Sequence, residues 1–87
     1  MTVRPYAVRI SVRLSGGVND PQGNTVRDAL RSLGHEDVRE VRVGKVIDLV
    51  VDAGSADEAR ERADRMCREL LANPVIETHL VEQVEEA

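Results

Sequence analysis

Tyr6 is the only aromatic residue in the chain, and neither Phe nor Trp occurs anywhere in its 87 positions. An interior filled by Val, Leu, Ile and Ala lacks the large area that each aromatic ring would bury. A domain of this length also buries only about 60–65% of the surface its unfolded chain exposes. The core is therefore expected to be thin, and association with a further copy is one of the usual remedies. A homodimer or tetramer is the expectation from this feature alone.

The net charge of -4 and isoelectric point near 5.1 argue against a nucleic-acid partner, which would call for clustered excess Lys and Arg. Eleven of the twelve basic residues are Arg, but they alternate with acids, the pattern of a solvated face. Cys67 has no second cysteine to pair with. No apolar run approaches the roughly 20 residues of a membrane span, and the first residues lack the order of a signal peptide. The expected location is the cytoplasm, with no membrane partner.

Apolar and polar residues alternate from Tyr6 to Leu14, the period of a half-buried strand. After Ser15-Gly16-Gly17-Val18-Asn19, Asp20 supplies a helix-capping oxygen and Pro21 a suitable first helical residue. The spacing of Val26, Ala29, Leu30 and Leu33 predicts an inward stripe, ended at Gly34. Two strands are predicted over Val38–Val43 and Val46–Asp52, joined by a tight hairpin at Gly44-Lys45. Ser55 and Glu58 have capping-box spacing for a second helix. Its expected buried residues are Ala56, Ala59, Ala63, Met66, Cys67, Leu70 and Leu71, with Glu58–Arg62, Glu61–Arg65 and Asp64–Arg68 paired on the wet side. Pro74 stops this helix, and Val75–Val84 forms a last strand, leaving Glu85–Ala87 to fray. The order predicts one domain over 1–87 of the α+β class: a ferredoxin-like βαββαβ unit with a four-stranded antiparallel sheet and two helices on one face. The other face of the sheet, or an edge, is left for another chain.

Residues that carry chemistry are sparse. Gly16, Gly17 and Gly23 fit neither the GxGxxG nor the GxxxxGK[ST] phosphate-binding spacing. Gly23 is nonetheless unusual, because a glycine in the first turn of a helix weakens it unless another backbone must approach closely. His35 and His79 share no further ligands, so no metal site is expected. Cys67 falls in the apolar stripe and reads as a core residue. Glu77 and Glu82 lie an odd number of residues apart along a strand and so on opposite faces. No catalytic residue is assigned.

Three stretches, Asp20-Pro21-Gln22-Gly23-Asn24, Val41-Arg42-Val43-Gly44-Lys45 and Met66-Cys67-Arg68-Glu69-Leu70-Leu71-Ala72-Asn73-Pro74-Val75-Ile76-Glu77, resemble the PurS family, small subunits of the three-part phosphoribosylformylglycinamidine (FGAM) synthase. The chain departs from the family pattern at Ser15, where Lys is common, and at His79, where Tyr is common. The resemblance implies a non-catalytic subunit of an ATP-dependent amidoligase in purine synthesis. It would bridge a PurL-type synthetase and a PurQ-type glutaminase and assist ammonia transfer from glutamine to formylglycinamide ribonucleotide. It also implies that this chain binds no cofactor alone, ATP and Mg being used by the complex. The candidate partner-interface residues are Asp20, Pro21, Gln22, Gly23, Arg42, Lys45, Asn73, Pro74, Glu77 and His79. The rival reading is an ACT-like dimeric module that binds a small regulatory molecule, since the element order alone does not decide function.

Overall fold

The computed structural model describes residues 2–87. Strand β1 (Arg4–Leu14) leads to helix α1 (Pro21–Ser32), strand β2 (Lys45–Ala53), helix α2 (Ala56–Met66), a π-helical turn (Cys67–Leu71) and strand β3 (Glu77–Glu86). The three strands form one antiparallel sheet in the order β2-β1-β3.

Alternation along β1 decides which face is buried. Tyr6, Val8, Ile10 and Val12 are buried on one side, flanked by Ile47, Leu49 and Val51 from β2 and by Val81 and Val84 from β3. Ala59 and Ala63 of α2 and Cys67 of the turn that follows it, four residues apart, cover them with no exposed surface. Their short side chains let the helix axis come close to the sheet, so branched aliphatics fill the layer without aromatic rings. The capping box of α2 forms: Ser55 Oγ accepts from the Glu58 N–H at 3.1 Å, and Glu58 Oε2 accepts from the Gly54 N–H at 3.0 Å.

Several expectations are corrected. The sheet has three strands, because Val38–Val43 forms no ladder and Gly44-Lys45 makes no hairpin. The chain instead crosses the end of β1 at Gly44, where an added Cβ would lie 2.7 Å from both Arg13 Cγ and the Val12 carbonyl oxygen, and runs straight on into β2. Nor do both helices cover one face. Along α1 only Gly23 is buried, while Val26 and Leu33 are 39% and 77% exposed. Residues 15–44 therefore form an arm: α1 leads out from the end of the sheet, and the chain returns beside it, with Arg31 Nε donating to the Val38 carbonyl at 2.8 Å. The molecule measures 56 × 26 × 14 Å with a radius of gyration of 16.8 Å, against about 12 Å for a compact domain of this length.

Smaller differences have local causes. The wide turn over Cys67–Leu71, closed by Ala72 N–H to Cys67 O at 3.0 Å, rotates Leu70 off the apolar stripe, and it is 82% exposed. Ala56, in the first turn of α2, is also exposed. Of the three ion pairs expected on α2, Asp64–Arg68 is present; Arg62 donates to the Asp52 carbonyl and Glu58 caps the helix. The last strand begins at Glu77 and continues to Glu86, and Ala87 N–H donates to Pro5 O at 3.0 Å, so 85–87 is tied to β1.

Candidate functional site

The ladder sets Lys45, Glu77 and His79 at one end of the sheet, since Leu14 stands opposite Glu77 and Val12 lies between Lys45 and His79, and the other seven candidates lie in the segments that lead into β2 and β3 there. They form two groups there, one at the base of the arm and one at the turn into β3.

At the base of the arm, Asp20 caps α1. Its Oδ1 accepts from the Gly23 N–H at 2.9 Å, and its Oδ2 accepts from the Val43 N–H at 2.8 Å, so one carboxylate fastens the outgoing helix to the returning chain. Only 5% of Asp20 is exposed. The Gly23 N–H, then the Val43 N–H, hold this carboxyl below the ordinary carboxylate range, with a smaller contribution from Arg42. Arg42 reinforces the joint by donating to the carbonyls of Val18 at 3.0 Å, Ser15 at 3.1 Å and Leu14 at 3.4 Å. Pro21 is the first residue of α1, as its fixed φ suits.

Gly23 explains its own oddity: an ideal Cβ there would lie 2.2 Å from the Val41 carbonyl oxygen. A backbone does approach closely, but it is the chain's own. The expectation that Gly23 offers bare backbone to a partner is corrected, because Gly23 is buried under 41–43. Val41 and Val43 are members of this joint absent from the ten candidates, although both lie in one of the three stretches singled out in the sequence, and the misplaced glycine signals the close approach. Gln22 remains exposed and, with Lys45 and Glu77, lines an open cavity of about 180 Å³ at the sheet end.

The turn into β3 is closed by side chains. Asn73 Oδ1 accepts from the Val75 N–H at 3.0 Å, Glu77 Oε1 accepts from the Asn73 N–H at 2.7 Å, and the Glu77 N–H returns a bond to Asn73 O at 2.7 Å. Pro74 sits inside this loop, and together with Glu77 and His79 lines a second cavity of about 340 Å³ over Cys67. His79 Nε2 lies 2.6 Å from Asp64 Oδ1, tying β3 to α2. Sequence reasoning does not find Asp64 in this role; its i,i+4 pairing with Arg68 gives no hint of a second partner fifteen residues on. Cys67 is buried, and burial pushes its thiol above the ordinary value, away from the reactive thiolate. Asp20 and Glu77 commit carboxylate oxygens to backbone N–H groups, so this end of the molecule offers a held shape with an exposed rim of Gln22, Lys45 and Pro74. Such a surface suits the docking of another protein.

Comparison with known proteins gives a consistent answer. Residues 7–85 match the family model described as PurS, phosphoribosylformylglycinamidine (FGAM) synthase. The PurS subunit of Methanocaldococcus jannaschii FGAM synthase is 37% identical over 82 residues, covering 92% of this chain and 99% of the relative. The crystal structure of Thermus thermophilus PurS superposes with a TM-score of 0.84 at 43% identity, over 95% of this chain and 98% of that one. A chain in the structure of PurLQS from Thermotoga maritima matches with a TM-score of 0.75 at 36% identity, with both chains covered in full.

Proposed function

The chain belongs to the PurS family, as a subunit of FGAM synthase in purine biosynthesis, and on that premise we propose that it acts as the bridge of the complex, joining a PurL-type synthetase to a PurQ-type glutaminase. The observation that carries this reading is the full-length match to a chain of the Thermotoga maritima PurLQS structure. The chemistry explains why a bridge is needed. Ammonia released from glutamine into water at neutral pH is mostly protonated and no longer a nucleophile. A subunit that holds two active sites together and limits solvent access raises the rate without touching the substrate. In this reading the chain binds no cofactor of its own, ATP and magnesium serve the synthetase, and the assembly works in the cytoplasm. No helix among the described residues is long and apolar enough to cross a membrane.

The test is reconstitution. The isolated chain is expected to show no glutaminase, ATPase or amidotransferase activity. Omitting it from a mixture of the other two subunits should abolish most glutamine-dependent turnover while leaving turnover with concentrated ammonium salt largely intact. Unchanged glutamine-dependent turnover without this chain would overturn the bridging role. Gln22→Ala tests the exposed rim. With its side chain outside the arm joint, the variant should keep the wild-type melting temperature but need several-fold more subunit for half-maximal glutamine-dependent activity. Full activity at limiting subunit would remove Gln22 from the contact.

A further inference from the structure

A continued α-helix would place Leu70 on the inward stripe, three residues beyond Cys67 and seven beyond Ala63. The wide turn over Cys67–Leu71 takes it off that stripe and leaves it 82% exposed. π-helical turns are rare and occur frequently at functional sites. Val75 follows at 84% exposure and Ile76 at 39%. Aliphatic side chains scattered singly over a surface are ordinary. Here a chain with a thin core leaves three of them in water within one short segment.

The backbone beneath these side chains is fully tied. Ala72 N–H donates to Cys67 O at 3.0 Å, Asn73 N–H to Glu77 Oε1 at 2.7 Å, and Val75 N–H to Asn73 Oδ1 at 3.0 Å. The N–H groups of Ile76 and Glu77 both reach Asn73 O, at 3.2 and 2.7 Å. Pro74 has no N–H to place, so every donor from 72 to 77 is held by the chain itself. The Ile76 carbonyl accepts from the Ser15 N–H at 2.8 Å, which fixes the loop to the end of β1. Asn73 and Glu77 are thus fasteners of the loop, whereas Leu70 and Val75 take no part in the core. Side chains carried on a backbone held in this way lose little further freedom when they are bound.

At 82% and 84% exposure, Leu70 and Val75 project from the surface instead of lining a groove, so the surface that complements them is concave and apolar. The two lie at most about 18 Å apart, the reach of five extended residues. Both therefore fit inside one standard interface patch of roughly 800 Å². A twofold pairing of two copies would set this patch against itself, and two projecting loops cannot receive one another. The occupant is a different protein.

We propose that the loop over 70–76 is the anchor by which this chain seats on one of the two enzymes it bridges, Leu70 and Val75 entering an apolar socket on that enzyme. Ile76 packs at the margin of the socket, and Asn73 and Glu77 hold the loop in shape. Burial of the two aliphatic side chains supplies the affinity, and the polar rim of Gln22, Lys45 and Pro74 sets the orientation. The inference rests on the bridging role and gives it two contact residues outside the ten candidates.

The test measures binding of the chain to the synthetase and to the glutaminase separately, for wild type, Leu70→Gln, Val75→Thr and the double variant. Val75→Thr keeps the branched shape and removes only apolar character. Each single change should weaken binding to one of the two enzymes by about 10-fold, and the double change by more. Binding to the other enzyme, the melting temperature and the sedimenting mass of the isolated chain should stay as in wild type. Val3→Gln, at a valine that is 62% exposed near the start of β1, is the control and should change none of these. Hydroxyl-radical footprinting of the wild-type complex needs no variant: Leu70 and Val75 should lose most of their labelling on assembly. Wild-type affinity in the double variant, full labelling of Leu70 and Val75 in the complex, or a variant whose own sedimenting mass falls would each overturn the proposal. A wild-type chain that binds neither enzyme would remove the bridging role and this anchor with it, whereas variants that bind both enzymes as tightly as wild type would remove the anchor alone.

Discussion

Replacing Gly23 by alanine is expected to lower the melting temperature by on the order of 10 °C, although alanine is the better helix former. The added Cβ would meet the Val41 carbonyl oxygen at 2.2 Å and Asp20 Oδ2 at 2.8 Å. Neither can retreat easily, since Asp20 holds Val43 two residues beyond Val41. Overpacking against fixed neighbours costs about 3 kcal/mol, of which alanine's helix preference returns about 1 kcal/mol. Gly23→Leu should release the returning segment altogether, and glutamine-dependent turnover at limiting subunit should fall with it. Gly16→Ala is the control: a Cβ added there would find nothing within 4 Å, so its stability should stay within about 0.5 kcal/mol of wild type. Scanning calorimetry on the three variants separates these outcomes. Equal melting temperatures for Gly23→Ala and wild type would show that the arm joint yields freely.

The second large effect belongs to Asp20, whose two oxygens serve two different strands of chain. The side-chain amide of an Asp20→Asn protein has one accepting oxygen and can hold Gly23 or Val43, not both. Loss at neutral pH should be on the order of 5–10 °C in melting temperature, and Asp20→Ala should lose more. The pH dependence carries the sign. The folded-state pKa of Asp20 lies below the ordinary value of 3.8. Its contribution is therefore fully present above that value and is lost as pH falls through the lower folded pKa. The gap between wild type and Asp20→Asn should thus be widest near neutrality and narrow progressively below about pH 4. Urea unfolding at pH 7, 4 and 3 measures it, and a gap independent of pH would assign the stabilisation to shape rather than charge.

The parts of the fold legible in the sequence are those whose partners are settled by local period. Tyr6 to Val12 alternate, and Ala59, Ala63 and Cys67 recur at helical spacing; each pattern has one economical burial, and the structure uses it. The arm is not legible in this way, because periodicity says that a face requires cover without saying from which chain. Val26 and Leu33 mark a stripe on α1 that no element among the described residues covers. Val38–Val43 has strand character, yet its neighbours are the Asp20 carboxylate and the α1 entrance. The site is legible to a similar depth. Gly23 announces a close approach but not what approaches, and the His79–Asp64 link depends on a long-range packing that no short motif encodes.

The sheet order has a kinetic consequence. β1, the central strand, comes first in the sequence, and one of its two neighbours, β3, comes last, so that Tyr6 stands opposite Glu86 in the ladder and the side chains of Arg4 and Glu86 meet across a separation of 82 positions. Half of the ladder must wait for an encounter between segments separated by nearly the whole chain, and such a loop is closed before its contacts can repay the entropy. The β1–β2 pair closes a smaller loop, yet that too spans the entire arm. Folding should therefore be slow for a chain this short, in the millisecond-to-second range typical of high contact order. During that interval β1 is exposed along both edges. A cell making this subunit in quantity faces its aggregation hazard in the nascent chain, well before any partner is in reach.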